Sequence, residues 1–491
     1  MPSRYPTPKP LVVVIGCDTF PPDINGAARF AERLAAGLQG RNHEVHVIAP
    51  STNKRYGVYR EVHAGVPIVV HRLKSYPVPQ HKFLRYISPF GLRSRLMKLV
   101  KNIGPDVIHI QSHLMVGRFL SKVARELNIR LVATNHTMPE NLVRYSLLMP
   151  KLFERLATRL VWADTGNVVS RAAVVTTPTR RAAGILNRAT GIAGIYAISC
   201  GIDSRPFASA PPVSNQNPRA LFLGRLDYEK HVHILIEAFS KINSHQRATL
   251  EIVGDGSERE SLESWAQECG VADRVVFAGS IPDSELSAAY ARASVFVMPS
   301  IAELQSIATM EAMASGRPVI AANAAALPHL VHDGENGFLF EPDNVEQLAQ
   351  LLDRVFAMND SDLQTLGDKS LHLIQSHDIN RTLDAFEKIY RNQMIDLSDT
   401  VDNEPDYLLS TRSIAIVKSS ARSARDAATA AKDSISNLGS GVIERLNGVR
   451  GESLEKFDEL KFEVSTRTAR ATRKIAKSIA KALNRFRNRD E

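Results

Sequence analysis

Two glutamates, Glu303 and Glu311, are separated by seven residues and follow a short apolar run at 295–298. The run predicts a strand, and the residues after it predict a helix that ends before a glycine and a proline. Glu303 is then expected on the loop at the carboxyl end of the strand, and Glu311 about one and a half turns inside the helix. Backbone N–H groups near Ser306 and Ile307 begin that helix, and a helix N-terminus favours phosphate. A carboxylate at Glu311 can accept two hydrogen bonds side by side, which suits vicinal hydroxyls.

Two cations, Arg225 and Lys230, follow Gly224 directly after another apolar run at 220–223. A guanidinium offers a planar fork for phosphate oxygens, a lysine adds a point charge, and a glycine lets the backbone approach a ligand closely. The pattern predicts a diphosphate site. Taken alone, these cations would more often be surface charges and the two glutamates solvated helix carboxylates, but the combination favours the ligand interpretation.

The elements that must position these residues alternate strands with helices, which indicates an α/β protein with parallel sheets. The first 200 residues contain strand candidates at 11–15, 44–49, 106–110, 130–134, 173–177 and 196–200, and the second block contains them at 220–223, 249–253, 275–278, 295–298 and 319–322. A stretch rich in proline, serine and asparagine at 203–219 reads as a linker. We therefore expect two doubly wound Rossmann-like domains, at 1–205 and 206–395, facing a cleft in which ligands bind.

The composition narrows the class of protein further. The 491 residues are 44% hydrophobic with a net charge of +9 and three distant cysteines, which excludes a disulfide framework and fits a reducing compartment. The chain has no apolar run long enough for a membrane-spanning helix, and its polar start is unlike a signal peptide. Residues 461–491 hold ten lysines and arginines against three acids. We expect 396–491 to be a helical basic extension ending in a basic amphipathic helix.

The ordered motifs resemble the family 4 retaining glycosyltransferases of the GT-B fold. Besides the glutamate and cation motifs, the resemblance covers Phe20–Ala27, Thr134–Thr137, Ala326–Val331 and Asp333–Phe338, and it extends over roughly residues 10–395. It implies that the protein transfers a hexose from a nucleotide diphosphate sugar to a hydroxyl with retention of anomeric configuration.

The resemblance also assigns roles to single residues. Arg225 and Lys230 would hold the donor diphosphate and stabilise the leaving nucleotide, beside Gly224. Glu311 would hold the donor ribose and Glu303 the donor sugar, and Ser306 and Ile307 would offer backbone amides.

On the first-domain side, His136 would lie beside the transferred sugar, and Gly26 would bring its loop close to the donor phosphates. The assigned catalytic residues are thus His136, Arg225, Lys230 and Glu303. A structural histidine is the alternative interpretation for His136.

The sequence departs from the family pattern at several positions. Gly26-Ala27 replaces the usual Gly-Gly, Gln305-Ser306 replaces Phe-Gly, and His231 replaces a glycine after Lys230. These departures leave diphosphate binding intact but leave the donor base and sugar open. The Gln-Ser form, together with the residues at 134–142, looks most like the bacterial branch that glycosylates diacylglycerol-type lipids.

We expect neither a metal ion nor another cofactor. His109 and His113 have a spacing that could ligate a metal on a helix, but His109 lies on a strand pattern, which favours a structural or acceptor-cleft role. Asp360-Ser-Asp362 matches the short acidic motif of metal-dependent sugar transferases, but its place between helices favours helix capping.

A basic segment at 74–101 contains no acid and is interleaved with aromatic residues. One interpretation is a docking surface for an anionic bilayer, in which about 1 kcal/mol per cation would hold the protein reversibly. The residues assigned to it are Lys82, Arg85, Arg93, Arg95 and Lys98. The alternative is a solvated helix face with a loop; no nucleic-acid motif accompanies the segment.

The sequence therefore predicts a cytoplasmic hexosyltransferase, peripheral on the inner face of the plasma membrane, with a nucleotide sugar and a membrane lipid as substrates. The alternatives are a transferase acting on an inositol derivative or a polysaccharide, and a non-catalytic membrane scaffold that keeps a donor fold. The oligomeric state stays open.

Overall fold

The computed structural model describes residues 9–395 except 24, 54, 79–80, 139–150 and 243–246, and it describes no side chains at 81–84 and 151–155. The predicted basic extension at 396–491, the side chain of Lys82 and part of the 134–142 motif lie outside the described residues. Within them, no helix is both long and apolar enough to cross a bilayer.

The first half of the chain builds one large sheet with helices on both faces. Its elements, in chain order, are β1 (Val12–Gly16), α1 (Gly26–Gly40), β2 (Glu44–Pro50), β3 (Gly57–His63), β4 (Val66–Leu73), β5 (Tyr76–Val78), β6 (His81–Tyr86), α2 (Leu92–Ile103), β7 (Val107–Ile110), α3 (Met115–Glu126), β8 (Arg130–Thr134), α4 (Lys151–Val169), β9 (Val174–Thr177), α5 (Arg180–Thr190) and β10 (Tyr196–Ala197).

The strand order of this sheet is β10-β9-β8-β7-β1-β2-β4-β3, parallel except for β3 at the edge. The six predicted strands are all present, and β10 is shorter than predicted. β1 is a continuous apolar run, and all four residues of β7 are buried, including His109, because helices cover both faces of the sheet. The strand order reverses between β7 and β1, so the carboxyl ends of these two strands form a crevice of the kind in which ligands bind.

The second half repeats the architecture with a smaller sheet. Its elements are β11 (Arg219–Leu223), α6 (Val232–Ser240), β12 (Thr249–Val253), α7 (Arg259–Glu268), β13 (Val275–Gly279), α8 (Asp283–Ala291), β14 (Val295–Met298), α9 (Ile307–Ala314), β15 (Val319–Ala322), β16 (Gly337–Phe340), α10 (Val345–Phe356), α11 (Asp360–Ile374) and α12 (Ile379–Tyr390).

All strands of the second sheet are parallel, in the order β13-β12-β11-β14-β15-β16. The order reverses between β11 and β14. The cation motif follows β11 and the glutamate motif follows β14, so both lie at the switch point, where α/β sheets bind ligands. The α/β fold with two doubly wound sheets is confirmed.

The last described helix crosses back to the first half of the chain. Ile389 of α12 accepts a hydrogen bond of 2.9 Å from the Arg130 side chain, and the Phe386 ring packs against Phe30 of α1. The two halves therefore interleave at this helix, and the boundary at 205 and 206 stays a prediction.

Candidate functional site

The loop after β14 and the start of α9 carry both glutamates. The Ser306 hydroxyl accepts a hydrogen bond of 3.3 Å from the Thr309 amide, so Ser306 is the N-cap of α9. Glu303 and Glu311 are 8% and 5% exposed. Carboxylates so deeply buried are expected to be paired, and both have ionic partners.

Glu311 is held from both halves of the chain. Its Oε1 lies 2.6 Å from Nη2 of Arg33, which comes from α1, and its Oε2 accepts a hydrogen bond of 3.1 Å from the Tyr290 hydroxyl. Burial, together with the adjacent Glu311 carboxylate, raises the pKa of Tyr290 well above its usual value. The Tyr290 hydroxyl therefore stays protonated and donates a hydrogen bond to Glu311.

Glu303 pairs with Lys230 of the cation motif. Lys230 ends a single 3-10 turn, and the carbonyl oxygen of Glu229 in that turn accepts hydrogen bonds of 3.1 Å from Ser300 Oγ and the Ile301 amide. The cation motif and the glutamate loop are therefore fastened together by both backbone and side chains.

Arg225 lies between two carboxylates, with Nη1 at 2.7 Å from Asp227 and Nη2 at 3.2 Å from Glu229. Gly224 precedes it at a tight crossing, since a Cβ placed on Gly254 would lie 1.8 Å from the Gly224 carbonyl oxygen. The switch point thus holds two cations among carboxylates, an arrangement in which a diphosphate can replace the acids as the partner of the cations.

Gly26 begins α1 on the other side of the crevice. A Cβ built on Gly26 would lie 3.9 Å from Cδ1 of Ile307, the first residue of α9. The structure therefore brings the first-half loop to the N-terminus of the helix that carries Glu311.

His136 follows β8 and is half-buried against the first half. Its Nε2 lies 3.0 Å from Oε1 of Gln111, and its ring lies 4.7 Å from the Phe30 ring between centroids. Burial lowers the pKa of His136 to about 3, so the imidazole is neutral at physiological pH. Among the described residues, Nε2 of Gln111 has no hydrogen-bond partner.

Sequence reasoning missed three site residues: Arg33, Gln111 and Gln305. Gln305 was noted only as a departure from the family pattern, yet its Oε1 accepts a hydrogen bond of 2.7 Å from the Cys200 amide and so ties the glutamate loop to the first half. Gln111 could have been found from its place directly after β7, since polar residues at carboxyl strand ends line the crevice. Arg33 gives no local signal.

The alternative metal-ligand candidates have structural partners. His109 lies 2.7 Å from both the Tyr390 hydroxyl and the Thr134 hydroxyl, and burial lowers its pKa to about 3. Asn359 caps α11, and Asp360 accepts a hydrogen bond of 3.0 Å from Ser214. Among the described residues, no three His, Cys, Asp or Glu side chains are grouped to hold a metal ion.

The basic segment folds into the β5–β6 hairpin and α2. Helix α2 buries an apolar face and exposes Arg93, Arg95 and Lys98, and Phe90 just before it is 87% exposed. Arg93 pairs with Glu126 at 2.7 Å, and Arg85 donates a hydrogen bond of 2.9 Å to Ser75. Arg95, Lys98 and Lys101 are all exposed and carry charge that this face offers to a partner.

Comparison with known proteins agrees with the architecture. HepE from Anabaena, solved with UDP and glucose, superposes with a TM-score of 0.62 over 78% of this chain and all of that chain, at 19% identity. A likeness at this identity shows the fold alone. The protein is a two-domain α/β protein of the GT-B class.

The family follows from the sequence matches. The models "Glycosyltransferase Family 4" and "Glycosyl transferases group 1" match residues 24–205 and 205–369. A GDP-mannose-dependent alpha-mannosyltransferase of Mycolicibacterium smegmatis is 31% identical over 68% of this chain and 85% of that protein. An alpha-monoglucosyldiacylglycerol synthase of Streptococcus pneumoniae is 25% identical over 75% and 83%. The chain belongs to glycosyltransferase family 4 and is an enzyme that transfers sugar.

Proposed function

We propose that the protein is a metal-independent retaining hexosyltransferase, which moves a sugar from a nucleotide diphosphate sugar to a hydroxyl of a diacylglycerol-type lipid. The observation that carries the proposal is the meeting of Arg225, Lys230, Glu303 and Glu311 at one switch point. One solved neighbour of the same fold and one relative support the donor class, since HepE was solved with UDP and the mycobacterial enzyme is named for GDP-mannose. The base and the sugar stay open.

The proposed donor site divides into three contacts. Arg225 and Lys230 exchange their carboxylate partners for the donor diphosphate, with the N-terminus of α9 at Ser306 and Ile307 adding a favourable dipole. Glu303, released by Lys230, accepts hydrogen bonds from hydroxyls of the sugar. Glu311 accepts hydrogen bonds from the ribose.

The proposed reaction needs positioning and leaving-group stabilisation. The acceptor oxygen bonds to the anomeric carbon as the bond from that carbon to the diphosphate breaks, and two fixed cations offset the charge that develops there. The acceptor proton passes to the departing diphosphate. His136 is too weak a base to take it, since its pKa is about 3, and we assign it to positioning of the transferred sugar.

The proposal of a lipid acceptor rests on the surface charge of α2 and on one relative. The exposed face of α2 presents Arg95 and Lys98, with Phe90 beside it, which suits an anionic bilayer. The streptococcal relative is named for synthesis of a glucosylated diacylglycerol. We place the enzyme on the cytoplasmic face of the plasma membrane, where nucleotide sugars and this lipid class meet.

The test is a transfer assay with UDP-glucose, UDP-galactose and GDP-mannose in EDTA, using diacylglycerol in vesicles with and without anionic lipid. The proposal expects a glycosylated lipid from one donor, faster on anionic vesicles. Transfer only to soluble inositol or glycan acceptors would move the function to the alternative acceptor class. Loss of all transfer in EDTA would contradict a metal-free mechanism.

A further inference from the structure

One stripe of α1 faces the second half of the chain. Arg29, Arg33 and Gly37 recur every fourth residue and so share a helix face, and Arg41 follows them as the C-cap of α1. Arg41 pairs with Asp384 of α12 at 2.6 Å, and a Cβ on Gly37 would meet another α12 side chain at 2.6 Å. This end of α1 is packed firmly against α12.

The other end of the stripe holds two ion pairs across the crevice. Arg29 pairs with Asp283 at the start of α8, and Arg33 pairs with Glu311 of α9. The side chain of Asp283 is 62% exposed, whereas that of Glu311 is 6% exposed. The two pairs are alike in chemistry and in the helix they come from, but only the Arg33 pair contains a residue of the proposed donor site.

We infer that Arg33 is a positioning residue for the donor nucleotide: from the opposite half of the chain, it orients the Glu311 carboxylate that receives the ribose hydroxyls. The inference rests on the proposed function, which places the ribose on Glu311. Nucleotide affinity would then depend on a side chain that lies outside the nucleotide-binding half.

The geometry favours a positioning role for Arg33 over competition between Arg33 and the nucleotide for the Glu311 carboxylate. A carboxylate has about four acceptor sites, and Arg33 and the Tyr290 hydroxyl each occupy one, on different oxygens. Two sites are left, one on each oxygen, for two neighbouring hydroxyls. The two donors together fix the plane of the carboxylate before the nucleotide arrives.

The charge of the buried Glu311 carboxylate also favours a positioning role for Arg33. An ionised carboxylate that is nearly excluded from water is costly without a cation, and Arg33 lies nearest to Glu311. Arg33 also reaches the carbonyl oxygen of Gly201 at 3.5 Å, which holds the guanidinium in place between the two halves. Removing Arg33 leaves Glu311 with Tyr290 and without this ion pair.

The test measures binding of UDP and GDP, and of their 2′,3′-dideoxy forms, to the full chain by calorimetry. For the nucleotide that binds, R33M is expected to weaken affinity about tenfold or more, as for other partners of buried charges. Affinity for the dideoxy form should stay within about twofold, because the hydroxyls that Glu311 receives are gone. R41M, which removes the ion pair with Asp384 at the other end of the stripe, is the control and should leave both affinities unchanged.

The outcomes separate this inference from the proposed function. If the wild-type protein binds the ribo and dideoxy forms with equal affinity, and E311Q does the same, then Glu311 does not receive the ribose and the proposed site is wrong. If wild type prefers the ribo form but R33M keeps that preference, the inference about Arg33 alone is wrong. Tighter binding by R33M would show that Arg33 competes with the nucleotide, and equal weakening of both forms would show a general structural role.

Discussion

The two sides of the crevice hold their polar groups in opposite ways. The second-half side is ionic: Arg225 and Lys230 are paired with carboxylates that a diphosphate can replace. The first-half side holds neutral histidines, since burial lowers the pKa of both His109 and His136 to about 3. The contrast suggests a division of work in which the second-half side meets the charged donor, whereas the first-half side contributes neutral histidines together with Arg33, which pairs with Glu311.

The largest effect is expected from removing a cation on the ionic side. Lys230→Ala should lower kcat by about 10²–10³-fold, the usual loss when one preorganised donor to a developing charge is removed. Steady-state kinetics on anionic vesicles measures it. Lys241→Ala is the control, because Lys241 pairs with an exposed acid, Glu346, far from the motifs. Equal effects of the two variants would contradict the assigned site.

A second change tests the neutral side by giving it charge. In Gln111→Glu, a carboxylate replaces the amide that contacts His136 at 3.0 Å, so the imidazolium is stabilised and the pKa of His136 rises. Because the wild-type pKa is about 3, His136 should not titrate between pH 5 and 8. In the variant, activity should fall about tenfold as the pH decreases through the new pKa.

The control for this change is Gln111→Met, which removes the contact without adding charge. Its activity can fall, but its pH profile should keep the wild-type shape. A profile in Gln111→Glu identical to that of the wild type would show that His136 is not the group that Gln111 contacts in solution.

A third prediction concerns stability. Burial lowers the pKa of His109, His136 and His377 to about 3, and that of His71 and His113 to about 4, with a nearby His46 also lowering that of His71. In the unfolded chain these histidines take up protons near pH 6.5, their ordinary pKa, whereas in the folded chain they stay neutral. The free energy of unfolding is therefore at its full value above that pH and decreases as the pH falls towards the folded-state pKa values. Each histidine contributes up to ~1.4 kcal/mol per pH unit below 6.5.

Denaturant unfolding between pH 7.5 and 5 measures this loss, in a range above the usual pKa of carboxylic acids. Four of these five histidines belong to the first half, so the first half should lose its protection from hydrogen exchange earlier than the second. Stability that is flat over this range would contradict neutral burial of these histidines.

The last prediction concerns the exposed surface of α2, outside the crevice. Removing two cations in Arg95→Gln/Lys98→Gln should weaken binding to anionic vesicles about 30-fold, at about 1 kcal/mol per charge, and leave nucleotide binding unchanged. Cosedimentation at physiological salt measures it. Arg205→Gln, which removes an exposed cation elsewhere, is the control. If the α2 double variant and the Arg205→Gln control bind vesicles equally well, then α2 is not part of the membrane-binding surface.

The sequence predicted those parts of the site that lie on short segments directly after strands. Arg225, Lys230, Glu303 and Glu311 follow two buried strands on short segments, and the strand order places both segments at one switch point. Periodicity and strand-end position therefore suffice to bring them together. The second sheet was predicted except for β16, the short strand at its edge.

The first-half side depends on long-range packing. Arg33 meets Glu311 across 278 residues, and α12 returns from the end of the described chain to contact the Phe30 ring. Neither contact has a signature within one element. The basic segment was expected as a helix with a loop, and β5 and β6 escaped prediction because the hairpin is short and lies outside both large sheets.

The central claim is that fixed cations at Arg225 and Lys230 hold a nucleotide diphosphate sugar without a metal. The most direct test is a thermal-shift panel of UDP-glucose, UDP-galactose and GDP-mannose, with EDTA or with Mg²⁺, on wild type and Lys230→Ala. We expect one donor to raise Tm equally in EDTA and Mg²⁺, and the variant to lose most of the shift. A shift that requires Mg²⁺, or one that the variant retains in full, would contradict the claim.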